Sequence, residues 1–547
     1  MSDLCASDRF PDHIICEILT RLPAKSICRF KCVSKRWISV ISNPRFITSY
    51  ISKNAPSWAI FDRAIRVEKG PNQKDLALSL CPTDPPNVSF LSVSPHMVDE
   101  DLVQPTRRNF PAVISTSSGL LLFAIARKRD PYGEKNRDPN SFSLRTDYDT
   151  LVLCNPVTHQ WSKLPEPPRL LNHRCAIGLA TRAAGPGRLV LAFVVTEYRP
   201  LIGSEKATLM TFSSESGKWE EKSANYMLGM HLWRPGGVFE FDGRLFWIDM
   251  SCGLIVWDDP FSSESKVQCG FIPLPQGSWR RFDTPGLEEE RCVGGGGGYI
   301  QYLEIVDGVG LKLWRLEDYQ GGEWGLVHNV SLMDVWSDES YLACGLPKLS
   351  PSVNLIHPFE EDVAFFVVKD KIFSVDIGKK KVLGCGVYSS LIRCDFPFVI
   401  PTWPTSISPL FLALSAKECG NECFKAKDFV EAIRSYSRSI DHSPTAAAYA
   451  NRAAAYLKIS GYSQAEEDCT EALKLDDQYM KAYARRAIAR KELGKLVEAE
   501  EDAKLCLKLD PKQDDVQKLL GEVNFLLEKV IIKADARDGQ DGTVPDV

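Results

Sequence analysis

Histidine is scarce and scattered in this sequence. The eight occur at His13, His96, His159, His173, His231, His328, His357 and His442, and none belongs to an HExxH or similar cluster. There is no GxSxG elbow and no Walker-type phosphate loop. The stretch "VGGGGGYIQY" (293–302) holds five glycines in a row, but it leads into a strand pattern and lacks the Lys-Ser/Thr a phosphate cradle needs. It reads as a flexible loop. His159 and Trp161 sit in a hairpin turn and read as structural. With no catalytic motif, the chain is expected to be non-catalytic and to need no cofactor.

The cysteines are equally uninformative as ligands. Seventeen are spread through 547 residues without one CxxC pair. Cys28/Cys32 and Cys419/Cys423 are four apart on helical patterns, so reduced thiols are expected rather than a disulfide framework or a zinc site. No stretch approaches the ~20 apolar residues of a membrane span, and the opening "MSDLCASDRF" is too polar for a signal peptide. A cytoplasmic or nuclear location is therefore expected. The net charge of −5 argues against a nucleic-acid-binding surface, although the first 50 residues carry eight Lys/Arg against four Asp/Glu.

Three grammars follow one another along the chain. In residues 1–50 the segment "FPDHIICEILTRLP" (10–23) spaces Ile14, Ile15, Ile18, Leu19 and Leu22 as one apolar helical stripe, ended by Pro23. The spacing resumes at Ile27, Phe30, Val33, Trp37, Val40 and Ile41. Roughly 40 residues are near the lower limit for an independent core, so the stripe must be covered by the rest of the chain or by a partner.

From 55 to 403 the pattern changes to short strands rich in Val, Ile, Phe, Trp and Tyr, among them "GGVFEFDGRLFWIDM" (236–250) and "EDVAFFVVKDKIFSVD" (361–376). Asp242-Gly243 and Asp307-Gly308 are two-residue hairpin signals. "CNPVTHQWSKLP", "FSSESGKWEEK" and "RLEDYQGGEWGLV" each run through a polar turn to a Trp that opens the next strand. This weak repetition suits an all-β propeller-like domain, with room for six to eight blades; a large sandwich is the alternative.

From 413 to 530 the helical period returns with plain repeats at a spacing of 33 or 34. Gly420, Ala453 and Ala487 recur in the first helix of each repeat, and Ala432, Ala465 and Ala499 in the second. Three tetratricopeptide-type pairs and a capping helix (514–530) make an all-α solenoid. The polar tail 533–547 is expected to be disordered. Lys417 and Asn421 share one helical face, as do Lys481 and Arg485, and Asn451 lies on the equivalent helix between them. Two lysines, an arginine and two amides in one groove suit a peptide ending in carboxylates.

These motifs resemble known families. Leu22, Pro23, Val33, Ser34, Lys35, Trp37, Ile41, Pro44 and Phe46 carry a resemblance to the plant form of the F-box. It implies docking to the Skp-type adaptor of a cullin-RING ubiquitin ligase through Pro11, Ile14, Ile15, Ile18, Leu22, Pro23, Val33 and Trp37. The middle region resembles plant F-box-associated β-rich domains, which implies a platform for a protein substrate that the sequence does not name. Lys417, Asn421, Asn451, Lys481 and Arg485 match all five positions of the dicarboxylate clamp of co-chaperone repeats, and the module resembles RNA polymerase II-associated protein 3-like co-chaperones. That resemblance implies binding of the acidic tails of heat-shock protein 70 or 90. The expectation is a multidomain adaptor of an SCF-type ligase. A co-chaperone scaffold idle in ubiquitination, and a gene model fusing two proteins near 401–418, are the competing expectations.

Overall fold

The protein is described here by a computed structural model covering residues 11–538. Its longest omitted internal segments are 28–34, 68–77, 94–110, 128–147, 184–189, 226–231, 389–394 and 401–405; Pro23, Val33, Cys28, Cys32 and His159 lie outside the described residues. The chain divides into two compact units, 1–408 and 409–547.

The first unit opens with helices α1 (Asp12–Leu19) and α2 (Lys35–Ile41). Six antiparallel-rich sheets follow among the described residues. The first holds β1 (Ser57–Asp62), β2 (Arg66–Val67), β3 (Leu78–Cys81) and β4 (Val88–Val93), joined by β26 (Asp395–Ile400). The second is β5 (Ala112–Ser117), β6 (Leu120–Arg127), β7 (Tyr148–Asn155) and β8 (Gln160–Lys163). The third contains β9 (Ile177–Ala183), β10 (Val190–Pro200), β11 (Lys206–Ser213) and β12 (Lys218–Asn225), with short additions from β16 (Lys266–Val267) and β27 (Ser406–Ile407). The fourth is β13 (Gly237–Phe241), β14 (Arg244–Asp249), β15 (Gly253–Trp257) and β17 (Gly270–Pro273). A short helix α3 (Leu287–Glu290) leads to the fifth: β18 (Arg291–Gly296), β19 (Tyr299–Val306), β20 (Gly310–Asp318) and β21 (Glu323–Ser331). Helices α4 (Leu332–Ser337) and α5 (Glu339–Ala343) precede the sixth: β22 (Ser352–Ile356), β23 (Val363–Val368), β24 (Lys371–Asp376) and β25 (Lys381–Val387).

First strands stand side by side, β5 beside β9, β9 beside β13 and β18 beside β22, and β22 meets β26. Apolar side chains fill the spaces between successive sheets. Phe61 and Leu91 pack with Phe123 and Val152, Trp247 with Tyr198, Tyr302 with Phe246, and Phe366 with Leu313. Ile60 and Val88 of the first sheet pack against Phe365 and Ile372 of the sixth. This is a propeller. Each blade is covered on both faces, so "VAFFVV" in β23 is buried throughout rather than alternating in burial.

The tryptophans that repeat in sequence act between blades. Trp219 at the start of β12 donates its indole N–H to the Pro165 carbonyl after β8 (2.7 Å), and Trp324 on β21 does the same to Pro273 of β17 (2.8 Å). Trp161 on β8 packs against the core of the first two sheets. Asp242-Gly243 forms the expected two-residue turn, with φ of 52° and 76°. Asp307-Gly308 also adopts positive φ, but the turn takes in Val309 as a third residue, since Val306 pairs with Gly310.

The glycine run is not a flexible loop. Gly294, Gly295 and Gly296 belong to β18, beside its neighbours' first strands. A Cβ on Gly295 would lie 2.5 Å from the Phe241 ring, and one on Gly296 would lie 2.7 Å from the His357 carbonyl. Close approach, not conformational freedom, selects glycine there.

His357 ties the sixth blade to the first. Its ring meets Trp58 edge-on (4.6 Å) and stacks on Phe365 (6.1 Å). Nδ1 accepts backbone N–H bonds from Phe359 (3.2 Å) and Glu360 (2.9 Å), which fixes the neutral ring. Burial lowers its pKa below the ordinary 6.5, outweighing the nearby Glu360 carboxylate. The folded state therefore binds fewer protons here than the unfolded chain. This contribution to stability is complete above about pH 6.5 and declines as pH falls from there towards the lowered folded value. Melting of the full chain from pH 7.5 to 5.5 should show this loss, and His357→Asn, which keeps an acceptor without the titration, should flatten that part of the profile.

The second unit is all helical: α6 (Pro409–Lys425), α7 (Phe429–His442), α8 (Ala446–Lys458), α9 (Tyr462–Leu475), α10 (Met480–Glu492), α11 (Leu496–Leu509) and α12 (Asp514–Asp538). The six alanine and glycine positions picked out by the repeat are buried where paired helices cross. A Cβ on Gly420 would fall 2.6 Å from the ring of Tyr436. Arg452 makes a two-pronged ion pair with Asp468 (2.9 and 2.7 Å), and Arg486 repeats it with Asp502 at the same distances. The last helix runs to Asp538, six residues into the tail expected to be disordered.

Candidate functional sites: a helical docking edge and a repeat groove

The apolar stripe of the first helix is divided between a small core and an exposed edge. Ile15 and Leu19 turn inward against Ile27, Val40, Ile41, Phe46 and Tyr50. Ile15 is therefore part of the segment's own core. Pro11 is exposed at the start of α1, Ile14 is half-buried, and Ile18 is 53% exposed. Leu22 and Trp37 are half-buried at the margin of the same core. The arrangement is held by Tyr50, whose hydroxyl donates to the Leu22 carbonyl (2.9 Å), and by Arg36 on α2 paired with Asp12 on α1 (2.8 Å). What remains outward is an apolar edge of Pro11, Ile14 and Ile18.

In the second unit the five groove residues lie on the first helices of the three pairs: Lys417 and Asn421 on α6, Asn451 on α8, Lys481 and Arg485 on α10. Three of them form a hydrogen-bonded row. Arg485 Nη1 donates to the Ala450 carbonyl (2.6 Å) and to Asn451 Oδ1 (3.3 Å). Asn451 Nδ2 donates to Asn421 Oδ1 (3.1 Å). The row therefore crosses all three repeats at fixed spacing. Lys417 and Lys481 make no hydrogen bond or ion pair among the described residues. Their ammonium donors stay available.

Two participants escaped the sequence reading. Tyr436 on α7 donates its hydroxyl to Asn421 Oδ1 (2.9 Å), and burial pushes its pKa up to about 12, so it remains a neutral donor. Glu418 accepts from Asn421 Nδ2 (3.1 Å). Its position three residues before Asn421 on the same helix could have revealed it; nothing local marks Tyr436.

Burial pushes the Arg485 pKa down from its ordinary value, which marks a guanidinium drawn partly out of water. Arg486, the next residue, points about 100° away and spends its charge on buried Asp502. Two adjacent arginines thus do different work, Arg486 paired with a buried carboxylate and Arg485 bonded across to α8. Among the described residues no group of three His, Cys, Asp or Glu is close enough to hold a metal ion.

The comparisons with known proteins match both units. The F-box domain family matches residues 7–49. The family described as "F-box protein At3g26010-like, beta-propeller" matches residues 103–382, just over half of the chain. The F-box protein At3g26010 of Arabidopsis thaliana is 27% identical over 371 residues, 66% of this chain and 74% of that protein. The putative F-box/kelch-repeat protein At1g15680 of the same plant is 24% identical over 398 residues, covering 68% and 82%. Among solved structures, the first repeat domain of Spaghetti (RPAP3) bound to the HSP90 peptide SRMEEVD is 37% identical, with a TM-score of 0.22, and covers 22% of this chain and 95% of that one. The chain belongs to the F-box protein At3g26010-like β-propeller family, with an F-box before the propeller and a helical repeat domain after it.

Proposed function

We propose that this protein is a non-catalytic substrate adaptor of an SCF-type cullin-RING ubiquitin ligase, with a repeat domain that takes the carboxylate-bearing C-terminal tails of heat-shock protein 70 or 90. The exposed edge of Pro11, Ile14 and Ile18 docks the Skp-type adaptor, which in turn binds the cullin. The propeller holds a protein substrate. The repeat groove recruits a chaperone together with what the chaperone carries. Ubiquitination then proceeds by proximity, since tethering raises the local concentration of substrate beside the ligase. The observation that carries this reading is the row of Asn421, Asn451 and Arg485 flanked by two lysines that have no partner among the described residues.

The docking half is tested by capture of a purified Skp-type adaptor on the full chain. Ile18 contributes little to the F-box core, so Ile18→Asp should leave melting unchanged while adaptor capture falls at least about tenfold, the loss expected when a central apolar anchor is replaced by a charge. Equal capture by the variant would remove Ile18 from the interface. No capture by the unaltered chain would leave a chaperone-binding scaffold in place of a ligase adaptor.

A further inference from the structure

Cys344 and Cys385 are 41 positions apart in sequence, but the fold brings them to one place. Helix α5 packs on β25, the outermost strand of the sixth blade. Ser340 Oγ accepts the Val382 N–H there (2.9 Å), and Lys380 reaches back to Asp334 of α4 (2.7 Å). Tyr341 of α5 meets Phe373 edge-on (5.8 Å), and Cys385 is the cross-strand partner of Phe373. Cys344 caps the end of α5. Both cysteines pack on the same core, and both are partly open to solvent.

The direction of Cys385 is fixed by its neighbours. A Cβ on Gly384 would meet the Pro86 ring at 3.3 Å, and one on Gly386 would lie 2.8 Å from Asn87 Oδ1. Alternation along a strand sends Cys385 to the opposite face, the one α5 covers. Burial raises the pKa of its thiol, and the nearby Cys344 thiol raises it further.

We propose that Cys344 and Cys385 form an oxidation site, a dithiol that closes reversibly to a disulfide and ties α5 to the last strand of the sixth blade. Hydrogen peroxide is the oxidant class. One cysteine, as thiolate, attacks a peroxide oxygen to give a sulfenic acid and, with one proton, water. The second thiolate attacks that sulfur, forming the S–S bond and releasing a second water. Two thiols lose two electrons and two protons, and one peroxide becomes two waters.

The other described cysteines offer no comparable pair. Cys269 and Cys469 are buried, not partly open to solvent, and burial pushes both up to about 12. Cys423 is raised to about 11, chiefly by burial, and its neighbour Cys419 lies four residues away on the same helix. Cβ atoms at that spacing stand about 5–6 Å apart, beyond the roughly 3.5–4.5 Å that a disulfide spans.

The test is native treatment of the purified full chain with hydrogen peroxide, then digestion without reduction and mass spectrometry. A peptide joining Cys344 to Cys385, lost on adding dithiothreitol, is the expected result. It should be accompanied by a rise on the order of a few degrees in the propeller's melting temperature, because the bond closes a long loop. Cys385→Ser should abolish both the joined peptide and the rise, and leave Cys344 open to alkylation. Recovery of Cys344 and Cys385 as separate oxidised or alkylated peptides in the unaltered chain would overturn the proposal, as would a joined peptide seen only after denaturation.

Discussion

Asp502→Ala should unfold the repeat domain at a temperature well below that of the unaltered protein, at a cost of about 3–5 kcal/mol. Asp502 is 1% exposed and accepts from two arginines: Arg486 through Nε (2.9 Å) and Nη2 (2.7 Å), and Arg490 through Nη1 (2.9 Å). Alanine would leave the Arg486 guanidinium partly buried without its carboxylate, and Arg490 with Glu466 alone (3.0 Å). The loss would spread, because each repeat is stabilised mainly by its neighbours and Arg490, which Asp502 helps hold, also bonds Glu466 on α9 of the preceding repeat. Asp502→Asn should fall between, since it keeps an acceptor and loses the charge. Glu471→Ala is the comparison: Glu471 pairs with the exposed Lys474 at 2.6 Å, and such pairs contribute roughly 0–1 kcal/mol. Thermal melting of the full chain by circular dichroism at helix wavelengths would separate the three. Equal melting of Asp502→Ala and Glu471→Ala would show that the buried ion pairs do not hold the repeats.

On the proposed clamp, Lys481→Ala combined with Arg485→Ala should weaken binding of the probe peptide SRMEEVD by at least about a hundredfold. Each substitution removes a charged hydrogen bond of roughly 1.5–3 kcal/mol, and about 1.4 kcal/mol is a factor of ten. Lys481→Ala alone is the cleaner half. Lys481 is exposed and has no partner among the described residues, so its loss should change affinity and leave melting where it was. Asn421→Ala should lower both, because it strands the Tyr436 hydroxyl and the Asn451 amide that now meet at Asn421 Oδ1. Titration of labelled peptide by fluorescence anisotropy measures these differences. Binding should also weaken with salt for the unaltered chain and less steeply for the double variant. Unchanged affinity in the double variant would sink the clamp.

The repeats were legible because their chemistry is local and periodic. Gly420, Ala453 and Ala487 announce helix crossings at a fixed spacing, and the same spacing carries Lys417, Asn421, Asn451, Lys481 and Arg485 onto equivalent helices. Tyr436 was invisible because its bond to Asn421 depends on how the second helix of the pair folds back. In the first helix, periodicity grouped Ile14, Ile15 and Ile18 as one stripe, whereas the structure buries Ile15 and exposes Ile18. A stripe records which residues avoid water, not whether a neighbour or a partner shields them. The glycine run misled for a related reason. Glycine's low strand propensity is a local average, and at Gly295 the distant ring of Phe241 decides. Pairing of the first strand with a strand over 300 residues later leaves no mark in either segment.

That pairing sets an order of events during synthesis. Ser57 to Asp62 of β1 align with Ile400 to Asp395 of β26, so the first blade lacks a strand until the ribosome has passed residue 400. At about 5–20 residues per second, the 333 residues from Asp62 to Asp395 take roughly 20 s to a minute. For that interval the F-box and the early blades exist with the ring open and one edge of β1 unpaired. A nascent chain of this design therefore presents its F-box well before it owns a closed propeller, and a transcript cut short before codon 395 would yield an F-box with no closed ring behind it.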